Sequence, residues 1–236
     1  MELPINTRTF DRALDTVERL LAKRRVVAVM GDRLTLCSFA LAGPIRRSLV
    51  GAATTEDEGF ELVMSRQPDL LICSSDLEVG YGLNLLKRVK TARPTCLLLI
   101  VLVRETPEVV QEAMDCFANG VIFKSTLGSG HGDLISALQT IAEGEIYYPE
   151  PVRRLASSPQ KPQDRLELVE DLTPRELEVV AQVARGLKNN AIADVLGVSL
   201  ETVKTHVGNA MDKLAARDRT QMAVTALRYG LIDPLD

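Results

Sequence analysis

At 236 residues the chain has room for two domains of ordinary size, each able to bury a core. Its 46% hydrophobic and 25% charged residues are those of a soluble globular protein, and a net charge of −4 excludes a grip on nucleic acid through bulk charge alone. The longest apolar run, Cys96 to Val103, is too short to span a bilayer, and the start Met-Glu-Leu-Pro-Ile-Asn lacks the basic-then-apolar pattern of a signal peptide, so no membrane partner and a cytoplasmic location are expected.

From the N-terminus, Leu14, Val17, Leu20 and Leu21 recur at helical spacing and predict a helix over 7–24. A buried strand follows at 26–30. Strands then fit 50–54, 69–74, 96–103 and 120–124, alternating with helices at about 34–48, 56–66, 82–92, 107–118 and 131–143. Leu-Leu-Ile-Cys and Cys-Leu-Leu-Leu-Ile-Val-Leu-Val are continuously apolar, as in parallel strands covered on both faces. Five β–α units in this order predict an α/β fold with a doubly wound, five-stranded parallel sheet. The extra N-terminal helix must bury its stripe on this domain or across a dimer. Pro149, Pro151, Pro159 and Pro162, set among Ser, Gln, Lys and Arg, mark a semi-extended linker. The expected division is 1–25 helical extension, 26–148 α/β domain, 149–170 linker and 171–236 a second, all-α domain.

With five Phe, four Tyr and no Trp, the cores must be aliphatic. Cys37, Cys73, Cys96 and Cys116 stand singly, as do His131 and His206, so no metal and no cofactor is expected. The cysteines read as small buried hydrophobes in a reduced compartment, with redox sensing as the alternative. No nucleophile–base pair or phosphate-binding glycine loop is present, so an enzyme is not expected.

The last segment is heavily punctuated. Thr173-Pro174-Arg175-Glu176 is a helix start, with Thr as cap, Pro in the first turn and Glu reaching back. Gly186 ends that helix, a second spans about 189–196 and stops at Gly197, Ser199 caps a third, and Asp218-Arg-Thr-Gln221 caps a fourth that Gly230 ends. On the third helix Val203, Val207, Ala210 and Leu214 share a core face. Glu201, Lys204, Thr205, Gly208, Asn209 and Asp212 lie opposite. Such a face is either a solvated surface or a groove reader: Lys reaches guanine acceptors or phosphate, Thr offers a methyl to thymine, Asn pairs with adenine. The short helix–turn–helix before it favours the second. From Leu172 onward eight basic residues balance eight acidic ones, so phosphate attraction must come from local placement.

These motifs, together with Ala-Arg-Gly-Leu-Lys-Asn, Ile-Ala-Asp-Val-Leu, Thr-Val-Lys-Thr-His-Val and Arg-Asp-Arg-Thr-Gln, resemble the helix-turn-helix domain of the LuxR/FixJ family of bacterial transcription regulators over residues 172–232. The resemblance implies that the helix from Ser199 is the recognition helix, with double-stranded promoter DNA as partner, and that the last helix builds a homodimer. DNA-contact candidates are Lys188, Ser199, Thr202, Lys204, Thr205, Gly208, Asn209 and Lys213. Gly208 departs from the usual polar or basic residue, through close approach to DNA or to a partner or through drift, and Asp212 from a basic one. His206 serves packing or a phosphate contact.

The α/β segment before it resembles the receiver domain of two-component response regulators, which implies flavodoxin-like strand order. Such domains place phosphate on an Asp ending the third strand, helped by acids that bind Mg²⁺, a Thr/Ser and a Lys. Aligned ungapped from Pro68-Asp69-Leu70 to Gly82-Leu83, the acceptor position holds Ser74. The acid pair is reduced to Gly31-Asp32, the switch Thr is Leu102 and the aromatic position is Val121; Lys124 remains, as a pocket residue or as a structural partner of Asp32. The expected pocket is therefore degenerate (Asp32, Ser74, Asp76, Leu102, Lys124), and control through dimerisation, a regulatory protein partner or a small ligand is expected in place of phosphorylation. Two alternatives stand: a phospho-switched regulator using Asp76 as a shifted acceptor, and a protein-interaction adaptor that no longer reads DNA sequence.

Overall fold

The computed structural model describes residues 15–41, 43–127, 133–156, 171–228 and 231–232. The expected helix residues 7–14 and 131–132, the linker beyond 156 and the Gly230 stop lie outside the described residues.

The strands are β1 (Val26–Val29), β2 (Leu49–Ala53), β3 (Leu70–Ser74), β4 (Leu97–Leu102) and β5 (Gly120–Phe123). They form one parallel sheet in the order β2-β1-β3-β4-β5, the order expected. Successive side chains of a strand face opposite sides of the sheet. Val27, Val29, Leu71, Cys73, Leu98, Ile100, Leu102, Val121 and Phe123 therefore enter one core, beneath α4 (Glu56–Arg66), α5 (Gly82–Ala92) and α6 (Pro107–Asp115). Val26, Ala28, Leu70, Ile72, Leu99, Val101 and Ile122 enter the other. There they meet α1 (15–21), α2 (Arg33–Leu41), α3 (Gly43–Arg46) and α7 (Asp133–Ala142). Burial on both faces explains why β3 and β4 are apolar throughout rather than alternating.

Helix α1 buries its stripe on its own domain: Val17 and Leu21 are enclosed with Ile45, Leu138 and Ile141. The Leu21 carbonyl accepts the Ser48 hydroxyl at 2.7 Å, and Arg24 donates to the Ala142 carbonyl at 2.9 Å. Of the expected helix at 34–48, the structure describes α2 and α3, with residue 42 between them outside the described residues. Residues 150–156, expected as extended linker, form α8 (Glu150–Ala156), whose Val152 and Ala156 are buried against α6 and β5. Pro151 lies in the first turn, where the missing N–H costs nothing.

The second domain comprises α9 (Pro174–Ala184), α10 (Asn189–Leu196), α11 (Leu200–Lys213) and α12 (Arg219–Arg228). Three helix starts and the end of α10 are capped as the sequence indicates. Thr173 and Glu176 form a reciprocal capping box. Gly197 takes the left-handed conformation (φ 64°) at the end of α10. Ser199 accepts the Thr202 amide at 3.0 Å, and Asp218 accepts the Gln221 amide at 2.8 Å.

The two domains are in contact. Helix α12 packs on α6 and α8. Lys90 pairs with Asp218 (3.2 Å), Asn119 donates to Thr220 (3.2 Å), Lys188 pairs with Glu143 (2.9 Å) and Arg219 pairs with Glu145 (2.8 Å).

Candidate DNA-reading face and phosphoacceptor pocket

Two places concentrate the residues singled out in the sequence. The first is α11. Val203, Ala210 and Leu214 are buried against the rest of the helical domain, which turns Glu201, Lys204, Thr205, Gly208, Asn209 and Asp212 outward. Lys204 pairs with Glu201 at 2.7 Å, an exposed i,i+3 contact that holds the ammonium weakly and leaves it available to phosphate or guanine. The Thr205 hydroxyl donates to the Glu201 carbonyl at 2.9 Å. Ser199 and Thr202 are joined hydroxyl to hydroxyl at 2.8 Å in the cap. His206 is half-buried, with Nδ1 enclosed and without a hydrogen-bond partner, which places it against packing rather than on the outward stripe.

Two candidates stand apart from that stripe. Lys213 is largely buried, 3.0 Å from Glu176 and 3.2 Å from the Asp171 carbonyl. Burial opposes ionisation of Glu176, yet the Thr173 amide and hydroxyl together with Lys213 outweigh it and hold its carboxyl below the usual value. Lys213 thus completes the charge balance of the capping box. Lys188 stands before α10 and is engaged by Glu143 of the α/β domain. Sequence reasoning missed Arg219, which donates to the Leu187 carbonyl (2.9 Å) and Asn189 (3.2 Å) while facing Glu145.

The second place is the carboxyl end of the sheet. Ser74 ends β3 and is almost fully buried, as is Leu102 at the end of β4 and Val121 in β5. Asp32 is turned to the start of α2: it accepts the Thr35 hydroxyl at 2.6 Å and amide at 2.7 Å, and these bonds hold its carboxyl below the usual value, with Lys124 adding a smaller attraction. Asp76 faces Arg104 at 3.0 Å, and that guanidinium lies 5.6 Å from the Tyr81 ring centre. The buried Ser75 hydroxyl accepts the Val103 amide (3.0 Å), binding the loop after β3 to the end of β4. At Gly31 an added β-carbon would stand 2.5 Å from the Asp76 carbonyl oxygen. The space that an acid at position 31 needs is filled by backbone.

Receiver chemistry calls for Mg²⁺ held by clustered acids. These residues do not fit it: Asp32 is the one acid left of the pair, and among the described residues no three His, Cys, Asp or Glu converge. Leu34 at the start of α2 and Val79, Val103 and Leu127 in the loops are exposed, beside the charged pairs Arg33–Glu78 and Arg104–Asp76. Of the cysteines, Cys37 is exposed and the others are buried; burial pushes the Cys96 thiol up to about 11 and Cys116 to about 12, which suits inert packing.

A doubly wound receiver-like domain followed by a capped helix-turn-helix unit defines a response regulator with a DNA-binding output. The family described as "Bacterial regulatory proteins, luxR family" matches residues 170–226. The uncharacterized transcriptional regulatory protein YxjL of Bacillus subtilis (strain 168) is 34% identical over 186 residues, covering 77% of this chain and 84% of the relative. Transcriptional regulatory protein LnrK of the same organism is 28% identical over 192 residues (78% and 86%), and response regulator protein VraR of Staphylococcus aureus (strain Mu3 / ATCC 700698) is 29% identical over 185 residues (78% and 86%). Among solved structures, the two-component response regulator RcsB in complex with DNA matches with a TM-score of 0.50 at 22% identity, covering 87% of this chain and 99% of that one, a likeness of fold. The chain belongs to the LuxR family of DNA-binding response regulators. Among the described residues no helix is long and apolar enough to cross a membrane.

Proposed function

We propose that this response regulator is a cytoplasmic transcription regulator that recognises promoter DNA as a homodimer and is controlled without aspartyl phosphorylation. No catalytic role is assigned to any residue. The reading face is the outward stripe of α11, with Lys204 directed to guanine or phosphate, and Thr205 and Asn209 to base edges. Ser199 and Thr202 stand at its N-terminal end, where backbone N–H groups favour phosphate. Lys188 joins them once it leaves Glu143, and Lys213 acts through the capping box rather than by contact.

The observation that carries the control reading is the crowding at Gly31. The loop after β3 places the Asp76 carbonyl where the second pocket acid would begin, so the loss of that acid and the path of the loop belong together. Ser74 at the acceptor position and Leu102 at the hydroxyl position complete the loss. Asp76, the alternative acceptor, pairs with Arg104 at 3.0 Å with both side chains partly exposed. The last helix, through which the family resemblance implies dimerisation, is α12, and it packs on α6 and α8. Input by assembly, by a regulatory partner or by a ligand then acts on this contact. Exposed Leu34, Val79, Val103 and Leu127 offer such an input apolar contacts.

The test is selection of duplexes from a random pool by the full chain, followed by titration at several salt concentrations. A preferred sequence is expected, with affinity falling as salt rises, and Lys204→Ala should weaken binding by about tenfold or more. Equal binding of the selected and random duplexes would favour the adaptor alternative.

A further inference from the structure

Gly208 lies in the interior of α11, exposed, with an ordinary helical φ. A β-carbon added there would meet nothing within 4 Å. Nine other glycines have described surroundings, and every one has a reason to be glycine. Each either takes a positive φ or would bring a β-carbon to 3.0 Å or less of a neighbour. Gly208 has neither reason. A glycine inside a helix is nonetheless unfavourable, because its backbone loses more freedom on ordering than alanine's does. The fold carries that cost with no return inside the chain, so whatever uses the bare backbone lies outside it.

The surroundings say what that is. Thr205 precedes Gly208 by three residues, Lys204 by four, and Asn209 and Asp212 follow on the same exposed side. A lysine reaches a groove from a distance. Threonine and asparagine reach base edges only when the helix axis comes close. Both short residues flank the glycine. We propose that Gly208 is the point of closest approach between α11 and the duplex. Its missing side chain lets the helix backbone seat against the groove floor and brings Thr205 and Asn209 within hydrogen-bonding or methyl-contact range. Gly208 is then a positioning residue. This rests on the DNA-reading role of α11 proposed above. Asp212, one turn further on, is repelled by phosphate, so the closest contact falls at Thr205–Gly208, ahead of it on the helix.

The test uses the full chain and a fluorescent duplex of the sequence that the wild type selects from a random pool. Binding is followed by anisotropy and helix stability by thermal melting. Gly208→Ala is expected to melt at or above the wild-type temperature while binding about tenfold or more weakly, the scale on which one side chain discriminates a base pair. Asp212→Ala, a truncation to the same residue on the same face, is expected to bind as tightly as the wild type or more so. Lys204→Ala reports on the underlying reading by weakening binding. A Gly208→Ala chain that binds like the wild type overturns the proposal while leaving the DNA reading intact. A Gly208→Ala chain that melts below the wild type assigns its weaker binding to folding and also overturns it. A wild-type chain that selects no sequence overturns both.

Discussion

The contact between the domains can be weakened at one side chain. Arg219 stands 2.8 Å from Glu145, with only 18% and 7% of the two side chains exposed. Removing one partner of a buried ion pair costs about 3–5 kcal/mol, because the other charge is left uncompensated. Arg219→Met also forfeits the bonds to Leu187 and Asn189, but these lie within the helical domain and disappear whether or not the domains touch. The stranded Glu145 is costly only in the closed arrangement. Allowing for residual hydration, closure weakens by about 2–3 kcal/mol, a shift toward the open form of about 30- to 140-fold. Amide hydrogen exchange is the assay: α6 and α12 should lose protection together, and small-angle scattering should show a larger radius of gyration.

Acidity separates this effect from misfolding. Burial raises the Glu145 carboxyl above its usual value in spite of Arg219. A raised value in the closed form means that the protonated form favours closure. That stability is present below the open-state value and is lost as pH rises through the closed-state value. Acidification should therefore restore closure in Arg219→Met, and Glu145→Gln should stay closed without pH dependence. Exchange in α6 and α12 that is unchanged by Arg219→Met would refute the reasoning.

The remaining expectations concern the two sites. Gly31→Ala places a β-carbon 2.5 Å from the Asp76 carbonyl oxygen and should destabilise the α/β domain by about 1–3 kcal/mol in urea titration, the cost of overpacking. Lys213→Met strands buried Glu176 and should lower helical-domain stability by about 3–5 kcal/mol, seen in thermal melts before any selective loss of DNA binding. Because the Glu176 carboxyl is held below its usual value, its contribution is present above the unfolded value and is lost as pH falls through the folded one, and Lys213→Met should flatten that acid limb.

The sheet was legible because burial on both faces leaves a plain signature: the runs at Leu70–Ser74 and Leu97–Leu102 have no polar alternation to misread. The helix-turn-helix unit was legible because its caps are local, each made by residues three apart. Helix α8 was missed because prolines at 149 and 151 suggest a linker, although Val152, Leu155 and Ala156 carry helical spacing. At the sites, the α11 face followed from periodicity. The engagement of Lys188 with Glu143, of Lys213 with Glu176 and of Arg219 with Glu145 could not be read, because those partners meet only after tertiary folding. Gly31 read as a missing acid; that a backbone carbonyl fills the vacated space is a property of the loop path.

Control without aspartyl phosphorylation is tested most directly by incubating the full chain with a small phosphodonor and Mg²⁺, then measuring bound acid-labile phosphate and affinity for the selected duplex. The expected result is no phosphate and unchanged affinity. Stoichiometric acid-labile phosphate, with altered DNA binding, would contradict it.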